Sequence, residues 1–305
     1  DIPVGTLTAV TGVSGSGKTT LVLESLVPAL RAQLAGEALP GHVRDVDAAG
    51  MSRVNLIDAT PIGVNVRSTV ATYSGVLDEL RRAFARTEEA TAAGLKAGAS
   101  SYNTGSPRCA TCDGTGQITL DVQFLPDVDI ECTQCRGSRY GTQANEIRRE
   151  GLSLPEIMTM SVDEARVAVR GLKKAGALLE TLSSLGLGYL TLGEATPALS
   201  GGEAQRLKLA SEMGRRQDGT LFVFDEPTIG LHPDDVQVLL DVLQRLIDRG
   251  ATVLVIEHDV DLIRCADWVI HMGPGGGIEG GRIVAQGTPT DIAANEASVT
   301  GRYLR

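Results

Sequence analysis

The stretch Gly12-Val13-Ser14-Gly15-Ser16-Gly17-Lys18-Thr19 decides the fold. Its spacing matches the phosphate-binding loop, whose backbone N–H groups surround nucleotide phosphates at the start of a helix. Glycines allow the backbone to approach the phosphates closely. An apolar run at residues 6–10 precedes the loop, and residues 18–30 have the apolar spacing of a helix. This strand–loop–helix order is what the motif requires, and it argues against a Gly/Ser loop of merely similar composition.

The loop predicts a site for ATP and Mg²⁺. Lys18 would supply positive charge to the β- and γ-phosphates, and the Thr19 hydroxyl would coordinate Mg²⁺. The predicted nucleotide-binding residues of this loop are Gly12, Ser14, Gly15, Ser16, Gly17, Lys18, Thr19 and Thr20.

A second part of this site is predicted at Asp225 and Glu226, which directly follow the apolar residues 221–224. A buried strand that ends there would place Asp225 near the metal beside the phosphate loop. Glu226 could orient or deprotonate the attacking water, a role whose loss usually costs on the order of 10²–10⁴ in rate. Taken alone, the same pattern is typical of a solvated strand end. The prediction of a nucleotide site therefore depends on the phosphate loop upstream.

Residues 199–203 read Leu-Ser-Gly-Gly-Glu and begin a predicted helix. The spacing of Ser200 and Glu203 is that of a capping box, and an ordinary N-cap is one interpretation. The other is a second phosphate sensor made by Ser200, Gly201, Gly202 and Glu203, because a glycine-rich helix start presents free N–H groups to an anion. With the acidic strand about twenty residues later, this order resembles the ATP-binding cassette ATPases. The resemblance implies that the helix contacts ATP held by a different cassette.

His258 follows the apolar run 252–256. A lone histidine at a strand end is more often structural than catalytic. Its position after the acidic strand resembles the switch histidine of the cassette family, which implies contact with the γ-phosphate. By the same resemblance, His232 would lie in the loop that signals across the cassette interface. We therefore predict Glu226 and His258 as catalytic residues.

Four cysteines form two CxxC pairs, Cys109 with Cys112 and Cys132 with Cys135, separated by nineteen residues. This spacing predicts a closed, structural four-thiolate Zn²⁺ site. Residues 114–124 between the pairs suggest two strands. Redox chemistry is the alternative, but two pairs favour a metal over a single redox motif. The isolated Cys265 is predicted to be a small buried hydrophobic residue.

Composition limits the class of protein. The chain has 305 residues, 42% hydrophobic residues and a net charge of −10, which argues weakly against a wholly basic nucleic-acid binder. The apolar runs are too short for membrane spans, so no membrane partner is expected. Without a signal peptide, and with its cysteines in metal-site spacing, the protein is expected in the reducing cytoplasm. Because the chain opens on Asp1, we expect it to be part of a longer protein.

Alternating strands and helices predict an α/β fold with a mainly parallel sheet, here a P-loop ATP-binding cassette fold. We predict that residues 1–75 and 186–305 form the nucleotide-binding core. Residues 76–185 would be an inserted helical signature region, which contains the zinc module at 107–141.

The sequence resembles the UvrA family of DNA-damage-sensing ATPases along nearly its whole length. The similarity includes residues 10–19, 125–128, 187–190, 199–206, 266–268 and 301–304. It implies the second nucleotide-binding domain, in the C-terminal half of such a protein. Implied partners are damaged double-stranded DNA, a UvrB-like helicase, and a second cassette in the same protein or in a homodimer.

Two segments depart from the family pattern. Ala59 stands where the family has Gln, a residue implied to link Mg²⁺ and water to the helical region, and residues 64–70 match only loosely. The main hypothesis is a Mg²⁺-dependent ATPase of nucleotide excision repair. Ala59 motivates the alternative, an ATP-gated DNA-binding module with poor hydrolysis, such as a divergent antibiotic-tolerance paralogue. A transporter motor subunit is a third reading, which predicts no cysteine insert.

DNA contact is a further expectation, carried partly by the resemblance. The candidate residues are Arg136, Arg139, Arg148, Arg149, Lys173 and Lys174. A charge cluster of this kind is usually a solvated face. If these residues bind DNA, contact should be to the backbone and strongly salt-dependent.

Overall fold

A computed structural model describes residues 1–63, 65–120 and 128–305 of the chain. These residues form two compact units. The first consists of Asp1–Ala59 and Arg215–Arg305, and the second is the continuous segment Thr60–Gly214.

The first unit is built on a six-stranded sheet. Its strands are β1 (Leu7–Gly12), β2 (Arg53–Ile57), β7 (Thr220–Asp225), β8 (Thr252–Ile256), β9 (Trp268–Gly273) and β10 (Arg282–Gly287). Its α-helices are α1 (Val27–Ala35), α9 (Pro233–Ile247), α10 (Val260–Cys265), α11 (Pro289–Ala294) and α12 (Gly301–Leu304), and a π-helical segment, Thr20–Leu26, runs directly into α1.

The second unit holds the remaining elements. Its strands are β3 (Gln117–Leu120), β4 (Val128–Glu131), β5 (Arg148–Arg149) and β6 (Leu152–Ser153). Its helices are α2 (Val70–Tyr73), α3 (Val76–Phe84), α4 (Glu88–Ala92), α5 (Leu154–Met158), α6 (Val162–Ala168), α7 (Lys173–Leu182) and α8 (Gly201–Met213).

The large sheet has the strand order β10-β9-β1-β8-β7-β2. All neighbours pair in parallel except β10, which is antiparallel to β9. Every residue of β1 and β8 is buried, as expected for strands of a parallel sheet covered on both faces. The carboxyl ends of β1, β8 and β7 therefore lie side by side at one edge. Ligands of open α/β sheets bind at this edge, beyond the carboxyl ends of the strands.

The secondary structure agrees with the predicted alternation of strands and helices. The predicted helix at 18–30 begins at Lys18, passes through the π-helical segment and continues as α1. A strand pair does lie between the cysteine pairs, as β3 antiparallel to β4, but β4 lies beyond the residues 114–124 on which the prediction rested. Residues 121–124 of that prediction, residues 125–127 of the segment similar to the UvrA family, and Val64 in the loosely matching segment lie outside the described residues. The boundaries of the compact units fall at 59/60 and 214/215, whereas we predicted boundaries at 75/76 and 185/186.

Candidate nucleotide site and cysteine cluster

The phosphate loop continues directly from β1. Gly12, Gly15 and Gly17 have φ angles of 144°, 73° and 95°, in the region that favours glycine. A Cβ atom at Gly12 would lie 2.2 Å from the Met272 carbonyl oxygen, so only glycine fits there. The loop therefore needs its glycines for backbone shape as well as for access to a ligand.

Lys18 folds back over this loop. Its Nζ donates hydrogen bonds to the carbonyl oxygens of Gly12, at 3.0 Å, and Val13, at 3.1 Å. Burial lowers the pKa of Lys18, and the nearby negative charges of Glu226 and Asp225 partly oppose this shift. Thr19 and Thr20 are exposed at the start of the following helical segment. A cradle of glycines with a buried ammonium group fits a phosphate chain.

A second glycine-rich segment, residues 273–281, packs on the phosphate loop. The N–H groups of Gly277 and Gly281 donate to the carbonyl oxygens of Gly15, at 3.1 Å, and Ser16, at 2.9 Å. A Cβ atom at Gly276 would lie 2.7 Å from the Ser14 carbonyl oxygen. This contact was not predicted from the sequence, although the run of glycines after β9 could have indicated it.

The predicted acidic pair lies at the neighbouring strand end. Asp225 is the last residue of β7 and pairs in register with Ile256. Burial raises the pKa of Asp225, and the negative charges of Glu226 and Asp58 raise it further, while Lys18 lowers it. Crowded carboxylates that need a cation are the donor set expected for Mg²⁺, so Asp225 fits the predicted role.

Glu226 and His258 meet across the same edge. His258 Nε2 lies 3.3 Å from Glu226 Oε1, and both side chains are about half exposed. The backbone of Glu226 has φ = +47°, which is uncommon for a residue with a side chain, and its N–H donates to the Ile256 carbonyl oxygen at 2.9 Å. The sheet thus brings Lys18, Asp225, Glu226 and His258 to one edge, as the sequence predicts.

The predicted signature residues lie in the other compact unit. Ser200 caps α8 with a complete capping box, since its Oγ accepts from the Glu203 N–H at 3.3 Å and Glu203 Oε2 accepts from the Ser200 N–H at 2.6 Å. Burial alone would raise the pKa of Glu203, but hydrogen bonds from the Tyr189 hydroxyl and the Ser200 N–H outweigh it and lower the pKa. Gly201 and Gly202 form the first turn, where backbone N–H groups have no helical acceptor.

The four predicted cysteine ligands form one cluster. Their sulfur atoms lie within 4.8 Å of one another and all four residues are buried. Cys109 Sγ lies 3.9 Å from Cys132 Sγ, and Cys112 Sγ lies 3.6 Å from Cys135 Sγ. Tetrahedral Zn²⁺ with Zn–S bonds of about 2.3 Å separates its sulfur atoms by about 3.8 Å. The cluster therefore fits Zn²⁺, and all four thiols are free of disulfides.

The thiols of the cysteine cluster differ in pKa. Burial alone would raise the pKa of Cys112, but hydrogen bonds, chiefly from the Gly116 N–H, lower it to about 7. Burial raises the pKa of Cys135. The Cys112 thiol therefore loses its proton more readily than the Cys135 thiol, and a bound cation would favour the ionised form of both.

Arg139 lies beside this cluster and is 2% exposed. Its guanidinium donates to backbone carbonyl oxygens: Nη1 to Val66 at 2.8 Å and to Gly114 at 3.5 Å, and Nε and Nη2 to Gly193 at 3.3 and 3.2 Å. It also lies 5.4 Å from the centre of the Tyr102 ring. Burial lowers the pKa of Arg139. This side chain therefore joins the cysteine module to two other segments of the same unit, and our expectation that it contacts DNA is wrong.

The other basic candidates are on the surface. Arg148 pairs with Glu156 and Arg149 with Glu150, both at 2.8 Å. Arg136, Lys173 and Lys174 are exposed. The two lysines line a cleft of roughly 400 Å³ between α3 and α7, together with Glu79, Arg82 and Arg86. These two arginines were not among the predicted residues: Arg82 lies on α3 and Arg86 in the turn that follows it, about ninety residues before the lysines.

Three further expectations have different outcomes. Cys265, predicted to be buried, is exposed at the end of α10, because the buried face of that helix is formed by Leu262 and Ile263. Ala59 is exposed two residues after β2 ends and offers only a methyl group. His232 is also exposed.

Within the described residues, no helix has both the length and the apolar character needed to cross a membrane. The parallel sheet, with the phosphate loop, acidic pair and histidine at one edge and a capped Ser-Gly-Gly-Glu helix in the second unit, defines an α/β ATP-binding cassette fold of the ATPase class. Within this class, the chain is similar to proteins of the UvrA family over its whole length. It is 49% identical to UvrABC system protein A of Bacillus subtilis over 306 aligned positions, which cover 99% of this chain and 32% of that protein.

Other comparisons agree. UvrABC system protein A of Aquifex aeolicus is 46% identical over 308 positions, covering 100% of this chain and 33% of that protein. The crystal structure of UvrA2 from Deinococcus radiodurans matches with a TM-score of 0.90 and 44% identity, over 100% of this chain and 37% of that one. No family model matches the chain. The chain thus spans about a third of the length of the curated relatives it matches.

Proposed function

We propose that the chain is a Mg²⁺-dependent ATPase module of nucleotide excision repair, whose ATP binding and hydrolysis are coupled to recognition of damaged DNA. One observation carries the proposal: the phosphate loop, Asp225, and the Glu226–His258 contact lie at the carboxyl ends of adjacent strands. This is the edge at which α/β sheets bind and convert nucleotides.

Each residue has a role in this proposal. The loop N–H groups and Lys18 bind the phosphates, and Thr19 with Asp225 would hold Mg²⁺, which when bound neutralises charge on the phosphates. Glu226 orients the attacking water and accepts its proton. His258 holds Glu226 and contacts the transferred phosphoryl group.

We propose that hydrolysis requires a second cassette, since the Ser200–Glu203 helix start has no role at its own phosphate loop in the cassette arrangement. The isolated chain should then turn over slowly, and turnover per molecule should rise with protein concentration. Turnover independent of concentration, at a fully monomeric state, would contradict this part of the proposal.

The proposed partners follow from the family and from charge. Double-stranded DNA, with damage as the recognised feature, would meet the basic cleft of Arg82, Arg86, Lys173 and Lys174 through its phosphates. A UvrB-like helicase is the proposed protein partner of the whole assembly, which would act in the compartment that holds the DNA.

One observation supports a second candidate function. Ala59 presents a methyl group where a glutamine side chain could reach metal and water, so closure on ATP could occur with little hydrolysis. The chain would then be an ATP-gated DNA-binding module.

The test is ATP turnover and ATP affinity with and without damaged duplex. We expect Lys18→Ala to abolish binding and Glu226→Gln to retain binding while hydrolysis falls by about 10²–10⁴-fold. Glu296→Gln, an exposed carboxylate in the same unit, is the control. Hydrolysis that persists in Glu226→Gln refutes the assigned base, and binding without turnover in the unmodified chain favours the second candidate.

A further inference from the structure

Glu257 makes contacts that the nucleotide site described above does not explain. Its side chain is 2% exposed. Oε1 accepts hydrogen bonds from the Thr228 N–H at 2.9 Å and the Thr228 hydroxyl at 2.5 Å. Oε2 accepts from the N–H groups of His258 at 2.6 Å and Asp259 at 3.0 Å. One buried carboxylate thus receives four donors from two loops.

These two loops carry the proposed catalytic pair. Thr228 lies two residues after Glu226, and His258 directly follows Glu257. The backbone of Glu257 also contacts β1. Its N–H donates to the Val10 carbonyl oxygen at 3.0 Å, two residues before the phosphate loop begins. Glu257 therefore lies where the ends of β1, β7 and β8 come together.

We propose that Glu257 is a positioning residue for ATP hydrolysis, whose carboxylate fixes the Glu226 loop against the His258 loop and so maintains the 3.3 Å contact between those two side chains. The inference rests on the proposed ATPase function and adds a residue that need not touch ATP. Without this bridge, the Glu226 loop would keep its backbone hydrogen bond to the Ile256 carbonyl oxygen, and the Glu226–His258 contact would lose the carboxylate that fixes both loops.

The contacts explain why the position requires a carboxylate. Three of the four donors are backbone N–H groups, which cannot accept a hydrogen bond. In Glu257→Gln the amide has one oxygen and one NH₂ group, so only one loop can meet an acceptor. The oxygen satisfies more N–H groups when it faces His258 and Asp259. The NH₂ group then faces Thr228, whose hydroxyl can rotate to accept but whose N–H loses its partner.

The substitution should therefore release mainly the loop that carries Glu226. A displacement of about 1 Å in a catalytic group can reduce the rate by about 10²-fold. The carboxylate of Glu257 makes its hydrogen bonds away from the phosphate loop, so ATP binding through Lys18 should remain. We expect kcat to fall by about 10²-fold in Glu257→Gln, with KM and the ATP dissociation constant within about threefold of the unmodified chain.

The experiment compares Glu257→Gln with Glu296→Gln, which removes an exposed charge from the same unit. Turnover, ATP affinity, melting temperature and amide hydrogen exchange are measured on each. In Glu257→Gln, the Thr228 amide should exchange faster while the His258 and Asp259 amides change less. The control should match the unmodified chain in all four measurements.

The outcomes separate this inference from the proposed function. Unchanged kcat in Glu257→Gln overturns the inference, and so does a joint loss of ATP binding and melting temperature, which would mean that Glu257 only holds the fold. If the unmodified chain binds ATP without hydrolysing it, the proposed function fails. In that case, hydrogen exchange still tests the role of Glu257. Faster exchange of the Thr228 amide in Glu257→Gln supports the bridge between the loops, and unchanged exchange refutes it.

Discussion

Replacement of Arg139 by methionine should strongly destabilise the second compact unit. The apolar stem is kept, while the carbonyl oxygens of Gly193, Val66 and Gly114 lose their donor. The contact to Gly114 is buried and those to Val66 and Gly193 are partly buried. A buried acceptor left unpaired costs about 1–3 kcal/mol, and a partly buried one lies near the lower end of that range. Relief of the burial of a cation offsets part of this cost, so the net loss should be near the lower sum, about 3 kcal/mol. For about 150 residues, this lowers the melting temperature by roughly 6–12 °C.

Differential scanning calorimetry measures this change, with Arg136→Met as the matched control. Arg136 is an exposed arginine of the same module, and its replacement should change stability by no more than about 0.5 kcal/mol. Arg139→Lys retains the charge, but a single ammonium group cannot donate to Gly193 and Val66 together. Its melting temperature should therefore lie between those of the unmodified chain and Arg139→Met.

The metal content of each variant is measured in parallel, because loss of Zn²⁺ would lower stability by another route. Equal melting temperatures of Arg139→Met and the unmodified chain, at equal metal content, would refute the predicted destabilisation. Equal losses in Arg136→Met and Arg139→Met would also refute it, since burial would then be irrelevant to the effect.

Three further predictions concern other parts of the chain. Gly276→Ala should weaken ATP binding about tenfold, because overpacking costs about 1–3 kcal/mol and the new Cβ would press on the Ser14 carbonyl. The control is Gly41→Ala, where a Cβ meets open space, and it should bind ATP normally in equilibrium titrations. Cys135→Ser should lose bound zinc by metal analysis, and a full equivalent of zinc would contradict the four-thiolate site. Because the pKa of Glu203 is lowered in the folded state, its stabilisation is present above the ordinary glutamate pKa of about 4.3 and is lost as the pH falls through the folded value. Urea unfolding from pH 7 to 3 should therefore be less pH-dependent in Glu203→Gln, and parallel curves would refute this.

Local motifs allowed much of the candidate site to be predicted from the sequence. The loop 12–19 and the pair Asp225–Glu226 need only a parallel sheet to be brought together, because the strands of such a sheet end at one edge. The four cysteines likewise carry their geometry in their spacing, and the structure confirms that they converge. In each case, the spacing of the residues in the sequence already indicates which of them meet.

Other features depend on contacts between distant segments and could not be predicted in this way. Arg139 was grouped with surface arginines because nothing local indicates that carbonyl groups at positions 66 and 193 surround it. Glu257 was passed over beside a histidine with a clearer role, since its partner Thr228 lies in another loop. Cys265 was misassigned because burial on a two-turn helix depends on which face meets the sheet.

The strand order also has a consequence for biosynthesis. β1 is synthesised long before its neighbours β8 and β9, and the hydrogen-bonded pair Gly5–Thr252 spans 247 positions. At about 5–20 residues per second, this apolar strand waits roughly 12–50 s for a partner. The continuous unit Thr60–Gly214 can fold in that interval. A holdase chaperone that covers β1 during synthesis should therefore raise the yield of folded protein more than one that acts after release.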